Sequence, residues 1–126
     1  MQNSTLNTKL TKNYLVNLLN ELSTIYKNTQ EERKKLAQWE EDQEFTILGV
    51  MELLTTEIRG YSFQIIDNKL SLTDEKNMVQ HLQELNLFNI PYVNQWYFAD
   101  DFNYPQLKNY LEKLNYVRLL ILEYIL

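Results

Sequence analysis

The stretch whose reading decides the fold is PQLKNYLEKLNYVRLLILEYIL, residues 105–126. Leu107, Tyr110, Leu111, Leu114, Val117, Ile121 and Tyr124 recur at steps of three and four, which places them on one side of an α-helix. Asn103 can cap its first turn, Pro105 suits a position where its missing amide is harmless, and Gln106 can complete a capping box. The helix is more apolar than one packing face requires. Leu119, Leu122 and Leu126 lie away from the main stripe, and fully burying each is worth about 1.5–3 kcal/mol. Either this helix is central in its own fold, or these three leucines form an interface with a second copy of the chain.

The same periodicity recurs upstream. Leu15, Leu18, Leu19, Leu22, Ile25 and Tyr26 predict a first amphipathic helix from Leu10 to Tyr26. Thr29 followed by Glu32 has the form of a capping box, and Leu36, Trp39, Gln43, Ile47, Val50, Leu54 and Ile58 continue a buried stripe beyond it. An unbroken helix from Gln30 to Arg59 would be about 45 Å long, so it either projects or bends between Gln43 and Thr46. Gly60 is placed to cap its C-terminus, and Gly49 to permit close helix approach. A third helix is expected after Thr73, with Met78, Leu82 and Leu85 inward and a boundary before Pro91.

Between the second and third helices the period changes. Tyr61, Phe63 and Ile65 alternate, as do Leu70 and Leu72, with Asp67 and Asn68 as turn formers, so residues 61–72 read as a small β-hairpin or an irregular excursion. The expectation is an all-α fold: a compact bundle of four main helices in one domain, residues 1–126. Two Gly and two Pro are too few for the turns of a sandwich or barrel.

Composition narrows the function. Without cysteine there is no disulfide framework, thiol chemistry or thiolate metal site. The single histidine, His81, sits at the margin of the third helix's stripe, where an imidazole anchored to a neighbour is expected. Glu52 and Glu57 lean inward, but a carboxylate-bridged metal bundle needs more histidines than this. Glycine-rich phosphate loops, nucleophile elbows and calcium loops are missing too. The expectation is a protein that is not an enzyme and carries no cofactor. Met1 to Asn7 lack the pattern of a secretion signal, and no apolar run approaches the ~20 residues needed to span a bilayer. A cytoplasmic, non-membrane protein is expected.

The net charge of −5 disfavours nucleic acid. Arg33, Lys34 and Lys35 form the only dense basic cluster, flanked by Glu31, Glu32, Glu40, Glu41 and Asp42, and they read as a solvated face. Half of the aromatic residues fall between Phe88 and Tyr110. Tyrosine and tryptophan concentrate at interface centres, so Tyr92, Trp96, Tyr97, Phe98, Phe102 and Tyr104, with Asp100 and Asp101 as an acidic rim, are candidate protein-binding residues. These features predict a non-catalytic adaptor, inhibitor or immunity-type protein whose partner is another, basic, protein. A homodimeric structural or regulatory subunit is the first alternative, and a nucleic-acid-associated regulator or DNA mimic the second. Small size, acidity and helicity resemble the composition of bacterial immunity and inhibitor proteins.

Overall fold

Several helices in this chain begin where a polar side chain takes a free amide of the first turn, and the helix starts divide the sequence more finely than its periodicity does. The computed structural model describes residues 11–44, 46–69, 71–86, 89–98 and 104–125. Six helices and no strand occur among them: α1 (Lys12–Lys27), α2 (Gln30–Trp39), α3 (Ile47–Ile66), α4 (Leu72–Glu84), α5 (Pro91–Phe98) and α6 (Pro105–Ile125). The protein is all-helical, with six helices where the spacing predicts four. Their buried side chains form one cluster to which every helix contributes.

α6 lies against α1, α2, α3 and α4. That arrangement answers the question raised by its excess apolarity. Leu114, Val117 and Ile121 are buried on one side, and Leu120 and Leu122 are buried as well. Leu119 stays 42% exposed, and Leu126 lies outside the described residues. Arg118 is also buried, its guanidinium donating to the Leu82 carbonyl (2.8 Å) and to Asn115 Oδ1 (3.1 Å). The Leu82 carbonyl belongs to the last turn of α4, where acceptors lack helical partners, so Arg118 closes that helix from α6.

The expected helix from Gln30 to Arg59 is two helices. Glu40, Glu41, Asp42 and Glu44 place four like charges just past Trp39, where the negative end of a helix dipole repels them, while the positive end of α3 attracts them. Thr46 then caps α3 by accepting the Gly49 amide (2.9 Å). Because the chain turns after Trp39, the stripe loses its phase there. Trp39, expected inside, is 60% exposed.

The expected hairpin over 61–72 is also corrected. Residues Tyr61 to Ile66 continue α3, whose buried positions Ile47, Met51, Leu54, Ile58, Ser62 and Ile65 form a single helical stripe. Ser62 disguised it, being polar yet buried, and its hydroxyl is satisfied by the Ile58 carbonyl (2.6 Å). Gly60 is therefore interior to the helix and has no positive φ. The capping role falls to Asn68, at φ 57°. Its amide donates to Ile65 (3.2 Å) and the Lys69 amide to Gln64 (2.9 Å), the paired bonds of a Schellman ending. α4 starts at Leu72, with Ser71 accepting the Asp74 amide (3.1 Å).

Thr29 does not form the expected capping box. Its backbone is not extended (φ −92°, ψ 3°), and its hydroxyl donates to the Tyr26 carbonyl while accepting from Arg33 Nε. Glu32 is thereby left to reach another helix. Its two carboxylate oxygens accept the amides of Gln106 (3.0 Å) and Leu107 (2.9 Å), capping α6 from α2. Pro105 has no amide to satisfy, so the first turn of α6 is fully provided for.

Candidate functional site

A second carboxylate works the same way, and it organises an exposed aromatic pair built on Trp39. Glu40 is 2% exposed. One of its oxygens accepts the Ile47 amide (2.8 Å), and the other lies 3.5 Å from the Leu48 amide. With Thr46 holding Gly49, the first three amides of α3 are all engaged. The Glu40 oxygen that holds Ile47 also accepts the Tyr92 hydroxyl (2.8 Å). α5 is thus tied to the α2–α3 junction.

Tyr92 in turn positions Trp39. The two rings are parallel within 3°, with centroids 6.4 Å apart, the offset geometry that aromatic quadrupoles favour. Burial pushes the Tyr92 hydroxyl up to about 12, with the Glu40 carboxylate adding to the shift. The phenol therefore stays a proton donor throughout the neutral range. In the segment that follows Trp39, Glu41, Asp42 and Glu44 are all exposed. The result is an aromatic platform whose tryptophan is followed in the chain by an acidic segment and whose tyrosine is held by buried Glu40.

The other aromatic candidates are distributed between core and surface. Trp96 is 8% exposed and packs on Tyr104 with centroids 5.6 Å apart, and Lys108 Nζ lies 5.7 Å from the Trp96 ring centre. The Trp96 Nε1 group has no hydrogen-bond partner among the described residues. Tyr104 is likewise buried. Tyr97 is half-buried, donates a short hydrogen bond to Glu112, and meets Phe98 edge to face at 5.0 Å. Burial, reinforced by Glu112, raises the Tyr97 pKa. Phe98 is 69% exposed. Asp100, Asp101 and Phe102 lie outside the described residues. Of the candidates, Tyr92 joins the platform, whereas Trp96 and Tyr104 serve packing between α5 and α6.

His81 is anchored to α3. Its Nδ1 lies 2.7 Å from the Tyr61 hydroxyl and 3.3 Å from Glu57 Oε1. Among the described residues, no group of three metal-ligating side chains converges, and no helix is long and apolar enough to cross a membrane. The basic cluster is split. Arg33 folds back over the Tyr26 ring, 4.0 Å from its centre, while Lys34 pairs with Glu31 at 4.0 Å. Sequence periodicity missed Trp39 as a surface group because it sits on the apolar stripe. The run of carboxylates after it was the available signal that the helix stops there. No protein-family model, curated protein or solved structure matches the chain.

Proposed function

We propose that the protein is a non-catalytic recognition module that binds a basic segment of another protein on the Trp39–Tyr92 platform. The observation that supports this reading is Trp39 itself, 60% exposed yet stacked within 3° of parallel on a tyrosine hydrogen-bonded to buried Glu40. A tryptophan held in one orientation forfeits little further freedom on binding, and such residues dominate interface energetics. An arginine guanidinium over its open face contributes about 0.5–2 kcal/mol. Glu41, Asp42 and Glu44 supply complementary charge, which favours a basic partner and speeds its encounter.

The test is anisotropy titration of the full chain with a labelled arginine-rich peptide and with its glutamate-substituted counterpart. Binding of the basic peptide should weaken roughly tenfold in W39A, the equivalent of about 1.4 kcal/mol. It should weaken again in E41Q/D42N/E44Q, but not in the distant charge control D74N/E75Q. Equal affinity for all four proteins would reduce the attraction to diffuse charge and remove the platform from the function.

A further inference from the structure

A concavity bordered by basic residues opens between α1, α3 and α6. Its volume is about 480 Å³, within the ~300–1,000 Å³ of small-molecule sites. Tyr26 and Tyr110 line it, with ring centroids 5.3 Å apart and planes inclined by 55°. Lys27 from α1 and Arg59 from α3 border it. In a chain of net charge −5, these two cationic residues border the same opening and neither forms an ion pair among the described residues, the Arg59 guanidinium lying 5.5 Å from the centre of the Phe63 ring. The Arg33 guanidinium lies 4.0 Å from the centre of the Tyr26 ring and adds positive field.

Two hydroxyls of the cleft, those of Thr55 and Tyr110, are already directed. Thr55 donates its one hydroxyl proton to the Met51 carbonyl (2.7 Å), so the Tyr110 hydroxyl at 2.9 Å is the donor to Thr55 Oγ1. The phenol is pinned, and its ring is a fixed apolar wall. Burial raises the Tyr110 pKa, which keeps that wall neutral. Glu52 also borders the cleft, two helical turns before Arg59 and about 10 Å from it along the axis. A ligand with several negative charges would meet that carboxylate. A single anionic group at the Lys27–Arg59 end would not.

We infer that this cleft binds a small amphipathic monocarboxylate, its carboxylate between Lys27 and Arg59 and its apolar body against Tyr26 and Tyr110. The inference does not depend on the Trp39 platform. Octanoate and its neutral counterpart 1-octanol are the probes, titrated into the full chain and followed by amide chemical shifts of Thr55 and Thr56. Octanoate should bind at least tenfold more tightly than octanol, and this preference should collapse in R59Q and in K27Q, whose folds are checked by circular dichroism. W39A should bind octanoate unchanged. Equal binding of acid and alcohol, retention of the preference in R59Q, tighter binding of inorganic triphosphate, or no binding of octanoate at all would each overturn the assignment.

Discussion

Replacing Glu40 should be among the most damaging substitutions of a charged residue in this protein. Two strong bonds depend on its carboxylate, from the Ile47 amide and the Tyr92 hydroxyl at 2.8 Å each, together with a weaker approach from Leu48 at 3.5 Å. Hydrogen bonds to a charged acceptor are worth about 1.5–3 kcal/mol each, and the donors left behind in a buried site lose their solvation as well. Water entering the vacated space returns part of that cost, so E40A should destabilise by about 3–4 kcal/mol. For a chain of 126 residues, an unfolding entropy of about 2.1 cal/mol/K per residue turns this into a fall in Tm of roughly 11–15 °C. Both strong bonds share one oxygen, so E40Q can keep both contacts and lose only their charge assistance, costing about 1–2 kcal/mol. The assay is urea unfolding followed by circular dichroism, with E41Q as the exposed neighbour that should shift stability by less than about 0.5 kcal/mol. A cycle of E40A, Y92F and the double variant should show a coupling of about 0.5–3 kcal/mol. If E40A unfolds at the same urea concentration as E41Q, Glu40 does not organise the α2–α3 junction and the platform loses its support.

Further outcomes rest on the same structure. E32A removes the acceptor for the Gln106 and Leu107 amides and should cost about 1–2 kcal/mol in urea unfolding, with faster hydrogen exchange confined to the first turn of α6. G60A should stabilise by about 0.5–1 kcal/mol, because a Cβ there meets nothing within 4 Å and the helix continues through it. G49A should show no such gain, since its Cβ would come within 2.9 Å of Thr46 Oγ1 and disturb the cap. R118M should be tolerated better than R118A in thermal unfolding: both remove the donor to the Leu82 carbonyl, but methionine refills the volume of a desolvated cation, whereas alanine leaves a cavity as well. In alkali, Tyr14, raised to about 12 by its hydrogen bond to Tyr116 and by burial, and Tyr92, raised to about 12 by burial and Glu40, should ionise late in an ultraviolet titration. Their pKa values are higher folded than unfolded, so the stability linked to them is complete below pH 10 and is lost as pH rises from 10 toward 12. A single tyrosine transition near pH 10 in the folded protein would contradict this.

The fate of three residues explains how much of the fold could be read in advance. Leu122 belongs to a second apolar side of α6 that spacing alone identifies, and packing by four helices covers it. Ser62 hid the continuation of α3 because a buried serine satisfied by its own helix looks polar in a periodicity count. Trp39 was misplaced because periodicity assumes that a helix keeps its direction, and the chain turns immediately after it. At the candidate site, Tyr92 was legible as an aromatic near an interface-like cluster. Its two partners were not, since Glu40 and Trp39 lie 52 and 53 positions away in the chain.

What the sequence by itself determined is local: helical class, the amphipathic sides of α1 and α6, Pro105 at the head of the last helix, and the absence of thiol or polyhistidine chemistry. These follow from interactions spanning one helical turn. What only the tertiary structure decided is which distant groups complete one another. Glu32 and Glu40 each look like one more solvated carboxylate, yet each reaches the unfilled amides at the start of a different helix. A helix must have those amides satisfied, but the pattern of residues around them does not record which side chain arrives from elsewhere. That choice is made by packing, and packing also set which aromatic rings became core and which were left facing solvent.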